Sequence, residues 1–295
     1  MNKVATIFGI EKGFSVPKQY FAPLLITGIL LAAHISFGIL DSFNKLLTAI
    51  SIADITELVL HRIVTGKFRN LSSAYVSGIS AGILVRSPLL WPFALCAAIS
   101  IASKYVLRYN GRHIWNPTNF GIVALIVIAS DSAAVLSIQW GNNMWAMFVI
   151  WIIGLVSLWK INRLNIALTY ILAFIAFAWV RSIYTGDLFL AEVAPLTGPM
   201  YQLFALFMLT DPKTTVKNRT GQTLVVLVIA FVEMILRLNE FVYAPFYALF
   251  LVGPIALIIE DHWGGRKSIA SGNGEKDLIG IEENSKLETV KVQEG

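Results

Sequence analysis

A succession of apolar runs, each about 18 residues or longer, recurs from Tyr20 to Asp261 and constrains this chain more than any other feature. A run of that length can cross the hydrocarbon of a bilayer as a helix. Lipid gives no hydrogen bonds to an open sheet edge, so a chain of such runs folds as helices. The runs are continuous and do not alternate, unlike the strands of an outer-membrane barrel. Composition agrees: of 295 residues, 56% are hydrophobic and 14% charged, against about a quarter charged in a soluble domain. The expected fold is an all-α, polytopic integral membrane protein embedded in the lipid bilayer.

The pattern predicts ten spans, at 20–40, 46–62, 71–85, 89–107, 117–130, 143–159, 164–181, 199–210, 222–237 and 242–260. Segment 46–62 contains Asp54, Glu57 and His61, and reads either as a crossing or as an interfacial helix with a wet acidic face. Segment 199–210 is short and reads either as a crossing or as a re-entrant piece. Of the 23 Lys and Arg, only Lys45, Arg86, Arg181 and Arg237 fall on one side of this topology. The bias puts both termini and the basic loops in the cytoplasm. The net charge of +5 therefore follows from topology, and the scattered basic residues need no nucleic-acid partner. Residues 1–19 read as a cytoplasmic N-terminal segment, 20–262 as the transmembrane domain and 263–295 as a disordered polar tail. The first run is too long for a signal-peptide core.

An internal echo runs through the chain. Arg86-Ser87-Pro88 separates the third and fourth spans, and Asp211-Pro212 the eighth and ninth. Asn116-Pro117 opens the fifth span and Ala244-Pro245 the tenth. Five spans per half would invert the second half relative to the first, an arrangement that places binding sites near the bilayer midplane.

Two polar stretches stand out. From Ser103 to Gly121, Lys104, Arg108 and Arg112 lie at a predicted cytoplasmic edge and Gly111 supplies a turn. Asn116 can cap the next helix, with Pro117 at its first position. This stretch reads either as a basic loop with a helix cap or as an anion site. From Thr210 to Gln222, Asp211, Thr214, Thr215 and Thr220 lie among Lys213, Lys217 and Arg219. Hydroxyls and cations together suit a phosphate group, and equally an ordinary solvated loop. Elsewhere, Asp54 and Glu57 share a helical face that His61 extends. Ionisable groups at membrane depth mark ion or proton paths, or pair with each other. Glu233 has Arg237 four residues on, and His34 is expected to make a helix–helix hydrogen bond. Trp140, Trp145, Trp159, Trp179 and Tyr184 fall near span ends, as interfacial aromatics do. Cys96, the single cysteine, reads as a small buried side chain. The sequence holds no Ser-His-Asp pattern, zinc-ligand spacing or Walker loop, so no self-contained catalytic site is legible. Energy for any transport would come from an ion gradient, an electron or another subunit.

With these residues in view, the chain over about 20–262 resembles the NqrB/RnfD family of membrane subunits of bacterial redox-driven pumps. The Lys104…Gly111…Asn116-Pro117 pattern carries the likeness, with Thr210-Asp211-Pro212 followed by hydroxyl residues and Gly221. So does the closing apolar segment that ends with Glu260 and Asp261. The stretch from Gly111 to Leu125 is also similar to the RnfD-like proteins of the UnbU type found beside enediyne biosynthesis genes. The resemblance implies ten helices in two inverted five-helix repeats, similar to urea transporters, in the inner membrane of a bacterial cell.

In the redox pumps this subunit carries flavin, including an FMN joined by a phosphoester to a Thr. The family stretch reads roughly Thr-Asp-Pro-x-Ser/Thr-x-x-x-Thr, with the last Thr bearing the flavin. Here Thr214 fills the earlier hydroxyl position and Asn218 the last one. An amide cannot form the phosphoester, so the resemblance implies a subunit of an Rnf/Nqr-like electron transport system without covalent FMN. FMN or riboflavin held non-covalently would be bound by Lys104, Arg108, Arg112, Asn116, Asp211, Thr214, Thr215 and Asn218. The implied partners are other membrane redox subunits and a quinone or small solute. Two alternatives stay open: a small-solute or flavin transporter using the gap between the repeats, and a non-catalytic scaffold subunit. In the family the flavin loop faces away from the cytoplasm, whereas the Lys/Arg count puts Lys213, Lys217 and Arg219 inside.

Overall fold

The computed structural model describes residues 18–38, 40, 42–68, 70–135 and 144–270. These form eleven α-helices and four strands of two residues each. The first half holds α1 (Lys18–Phe37), α2 (Phe43–Thr65), α3 (Ser72–Leu84), α4 (Trp91–Val106) and α5 (Pro117–Ile128). The second holds α6 (Met144–Lys160), α7 (Leu164–Thr185), α8 (Phe189–Val193), α9 (Pro199–Leu203), α10 (Arg219–Leu238) and α11 (Ala244–Ala270). Strand β1 (Val85–Arg86) pairs antiparallel with β4 (Ala134–Val135), and β2 (Arg108–Tyr109) with β3 (Arg112–His113).

Among the described residues, three helices are long and apolar enough to cross a membrane: α7, α10 and the Ala244–His262 part of α11, with mean hydropathies of 1.9, 1.9 and 1.6. α3 and α5 have 13 and 12 residues, about 20 and 18 Å of helix. That falls short of a hydrocarbon core of about 30 Å. The spans expected at 71–85 and 117–130 are helical over 72–84 and 117–128, and neither helix alone is long enough to cross that core. Segment 199–210 is also broken: a 3₁₀ turn at Ala194–Thr197 precedes α9, and a π-helical turn, Phe204–Met208, follows it. Such irregular backbone is tolerated at membrane depth when protein surrounds it, and Tyr201, Phe204, Ala205, Leu206, Met208 and Leu209 are all buried. The segment traverses the bundle alongside α10. Tyr201 bonds Glu233 near the C-terminal end of α10, and Asp211 opens the loop that leads into the α10 N-terminus.

Local chemistry sets the ends of these helices. Ser42 caps α2 by accepting from the Asn44 N–H at 3.2 Å, and α2 stops at Gly66, whose φ of +70° is left-handed. Glycines then let the helices approach closely. A Cβ on Gly78 would meet the Ile50 Cα at 2.6 Å, and one on Gly82 the Leu46 Cδ1 at 2.6 Å, so this four-residue spacing seats α3 against α2. Gly121 does the same for α5, where a Cβ would lie 2.7 Å from the Cys96 carbonyl oxygen of α4.

α2 packs on α3 and α4, and α4 on α5; α7 packs on α10, and α10 on α11. α5 and α11 meet at the seam, where Trp115, Phe120 and Phe250 stack with centroids 5.4–5.8 Å apart. Pro254 lies inside α11. It lacks the N–H that would bond the Phe250 carbonyl and forces a kink there. The Trp115 indole N–H donates to that carbonyl at 2.8 Å and takes the missing donor's place.

Several sequence-based expectations are refined. Residues 263–270, read as the start of the disordered tail, continue α11 as helix; 1–17 and 271–295 lie outside the described residues. Among the described residues His34 makes no helix–helix bond: its Nδ1 accepts from the Leu40 N–H at 3.2 Å and its ring meets Phe43 edge-on, fastening the end of α1. Trp145, Trp159, Trp179 and Tyr184 are strongly exposed, while Trp140 falls outside the described residues. Cys96 is fully buried.

Candidate functional site

Two segments about a hundred residues apart in sequence converge at one end of the bundle: the strap 107–116, before α5, and the loop 211–218, before α10. Asn116 is the hinge of the strap. Its side-chain oxygen accepts from the Asn119 N–H at 3.1 Å, capping α5, while its Nδ2 donates to Asp211 Oδ2 at 3.2 Å. The other Asp211 oxygen accepts from the Lys213 N–H at 3.0 Å. Burial pushes the Asp211 carboxyl above its ordinary value; the Lys213 N–H and charge and the Asn116 and Thr214 side chains oppose that rise.

Arg112 ties the two segments to α11. Its guanidinium donates to the Thr215 carbonyl at 2.7 Å and the Lys213 carbonyl at 3.3 Å, and forms an ion pair with Glu260 at 3.0 Å. Thr215 is buried, its hydroxyl within reach of the Asp211 and Leu209 carbonyls at 2.7 and 3.1 Å. Asn218 is exposed and caps α10, its side-chain oxygen accepting from the Thr220 N–H at 3.4 Å. Arg108 is exposed on the hairpin and donates to the Gly111 carbonyl.

Lys104 goes elsewhere. It is 5% exposed, and its ammonium lies 3.2 Å from Ser73 Oγ and 3.6 Å from a carboxylate oxygen of Glu57. The Tyr105 hydroxyl donates to the other Glu57 oxygen at 2.8 Å. Of the residues singled out in the sequence, the fold therefore joins Arg112, Asn116, Asp211, Thr214 and Thr215. It leaves Arg108 on the surface, Asn218 at a cap, and Lys104 in a buried α2–α3–α4 network.

A second network is larger than the sequence indicated. Glu233, 1% exposed, accepts from Tyr170 and Tyr201 hydroxyls at 2.7 Å each and pairs with Arg237 at 3.3 Å. Arg237 and Arg181 lie on the ring of Phe174, 5.4 and 5.0 Å from its centroid, and Arg181 pairs with Glu192 at 2.6 Å. The i, i+4 spacing gave away Glu233 and Arg237. Tyr170 and Tyr201 lie 63 and 32 residues from Glu233, and no local pattern flags them.

A flavin phosphate at this end of the bundle would need hydroxyls or cations free to receive it. Asn218 has no hydroxyl to esterify, and its amide serves the helix cap. Arg112 is matched by Glu260, and the Thr215 hydroxyl by backbone carbonyls. The cleft beneath the loop, lined by Trp115, Asn116, Leu209, Thr214, Val225 and Pro254, encloses about 20 Å³. That is room for one or two waters and far below the ~300 Å³ of a cofactor pocket. The site as built does not fit a flavin. Among the described residues no group of three His, Cys, Asp or Glu side chains is arranged to hold a metal ion. No family model and no curated protein matches the chain.

Proposed function

We propose that this chain is a multi-pass subunit of an Rnf/Nqr-like electron transport system in a bacterial inner membrane, working without FMN esterified at position 218. One observation carries the reading. The residues behind the family resemblance, far apart in sequence, bond directly to each other: Asn116 to Asp211, and Arg112 to the Thr215 carbonyl. The position that bears flavin in the family is a helix cap in this chain. Ten crossings in two inverted five-helix repeats belong to the same proposal. The succession α2–α4–α5 recurring as α7–α10–α11 supports it, as does the proline at the start of both α5 and α11. Its partners would be other membrane redox subunits, with a quinone or small solute as the mobile species.

Purification of the full chain in mild detergent from cells of its source tests this. The expected result is co-purification with flavin- or iron–sulphur-bearing membrane subunits and no yellow colour left on this chain after acid precipitation. Colour retained on the chain would overturn the role given to Asn218. Purification without any redox subunit would overturn the electron-transport reading. A small-solute or flavin transporter is the second reading, favoured by the missing hydroxyl at 218 and the broken, π-turned segment 199–208. Against it, the seam between α5 and α11 is filled by Trp115, Phe120 and Phe250. Uptake of a solute by vesicles holding the chain alone would favour transport.

A further inference from the structure

α11 changes character at Pro254. Before the proline, Ala244, Pro245, Phe246 and Ala248 are buried, and the Asn119 side chain donates to the Phe246 carbonyl at 3.2 Å, so this part is anchored in the bundle. From Ile255 to His262, Leu257 alone is buried, while Ile255, Ile258 and Ile259 are 58%, 41% and 49% exposed. A surface arm with so little buried apolar area belongs to the low-stability end of a fold and opens readily. The joint is already weakened. Pro254 gives no N–H to the Phe250 carbonyl, whose donor is Trp115 on the strap, so further bending at Gly253-Pro254 breaks no helical bond at that carbonyl.

What holds the arm is its tip. One Glu260 oxygen pairs with Arg112 at 3.0 Å and the other accepts from the Lys217 N–H, while Asp261 accepts from the Asn110 side chain. Arg112 also holds the Thr215 and Lys213 carbonyls, so one guanidinium ties strap, loop and arm. This clasp is polar and partly wet, with Arg112 and Glu260 24% and 23% exposed, and salt therefore weakens it. The elements it joins are also walls of the cleft beneath the loop: Trp115 comes from the strap, Thr214 from the loop, Ala256 from the arm and Val226 from the α10 floor, with Pro254 at the joint. With the clasp shut, the cleft encloses about 20 Å³ and Val226 is 1% exposed.

We propose that the 255–262 arm of α11 is a lid, hinged at Gly253-Pro254 and clasped through Glu260 and Asp261, that controls entry of water and small solutes to the cleft. On release, Arg112 and Glu260 exchange each other for water and Ala256 moves off the strap, while the anchored part of α11 stays with Trp115. This inference does not depend on the electron-transport reading.

Val226→Cys puts a thiol on the cleft floor. The native Cys96 is fully buried, so the full chain in nanodiscs supplies its own background. Alkylation by iodoacetamide is followed by mass spectrometry and normalised to Ser130→Cys, an exposed position, which removes effects on the reagent itself. Val226→Cys alone is expected to react slowly. Adding Glu260→Ala or Arg112→Gln should speed the reaction several-fold, and so, more weakly, should salt at about 1 M, where the screening length falls to about 3 Å. Arg108→Gln, whose guanidinium bonds within its own hairpin, should leave the rate unchanged. Circular dichroism and gel filtration show which variants fold, and the salt series on the unaltered clasp decides if the clasp variants do not. Rates unmoved by the clasp variants, or by salt where those fail to fold, would overturn the lid. A Val226→Cys thiol that reacts as fast as the Ser130→Cys control with the clasp intact would overturn it too. Equal acceleration by Arg108→Gln would mean general loosening at this end and would also sink the proposal.

Discussion

Glu57 and Glu233 are each 1% exposed inside the helical bundle, and each takes tyrosine hydroxyls and a cation as partners. They lie at opposite ends: Glu57 beside the last turn of α4, where the strap begins, and Glu233 beside the last turn of α10, away from the loop 211–218. The two halves answer the same problem differently. Glu233 receives two tyrosines and an arginine whose planar fork also lies on aromatic rings, so α7, α9 and α10 are joined around one carboxylate. Glu57 has one tyrosine and a lysine at 3.6 Å, and Asp54, one turn earlier, lies in the field of the same ammonium. A guanidinium supplies several directed donors, whereas an ammonium is closer to a point charge. The second-half network is therefore the more directional tie, while in the first half one ammonium faces two acids.

The comparison is most exposed to removal of the carboxylates. Glu233→Ala strips the Tyr170 and Tyr201 hydroxyls and the part-buried Arg237 of their shared carboxylate and should cost about 3 kcal/mol, the lower end for breaking a buried pair, read as a lowered Tm in detergent. Glu57→Ala should cost less, and a cost equal to or above that of Glu233→Ala would end the argument that directed donors set the two ties apart. At the seam, Trp115→Phe keeps the stacked ring but strips the donor from the Phe250 carbonyl, a loss of about 1–3 kcal/mol. Asn218→Ala should cost about 0.5–2 kcal/mol as a lost cap, while Asn218→Thr, another capping residue, should be close to neutral. Asn218→Thr should also remain unlabelled when co-expressed with a flavin transferase, because the loop's other groups stay engaged; in-gel fluorescence reads this.

The smallest effect concerns pH. The Asp211 carboxyl is raised above its ordinary 3.8 in the fold, so the folded state holds this proton longer than the unfolded state does. Stability from this group is present below that ordinary value and falls as pH rises through the window up to the raised one. Asp211→Asn should flatten the slope of Tm against pH in that window. A slope left unchanged would show that Asp211 keeps its ordinary affinity for the proton.

Much of this was legible in the sequence because it is local. Apolar runs gave the helices, Asn116-Pro117 gave a capped helix start, and the i, i+4 spacing gave Glu233 with Arg237. Lys104 shows where locality fails. Its neighbours in sequence are basic and suggested an anion site, but the last turn of α4 faces α2 and α3, and Glu57, 47 positions earlier, claims the ammonium. Likewise the cap at Asn218 can be read from residue type, whereas the ties from Arg112 to Glu260 and the Thr215 carbonyl exist only after α11 and the strap have come together. The shortness of α3 and α5 is itself legible, because polar residues close both runs: Arg86-Ser87-Pro88 after α3 and Ser130-Asp131-Ser132 after α5.

The indole of Trp115 has a consequence for how this protein can vary. Because it stands in for an amide that Pro254 lacks, the bend in α11 belongs jointly to two stretches of chain that were made far apart. Exchanging either stretch alone with that of a distant relative would strand a carbonyl in one chimera or a hydrogen donor in the other. The pair should be inherited together, and a designer splicing the halves would have to move both.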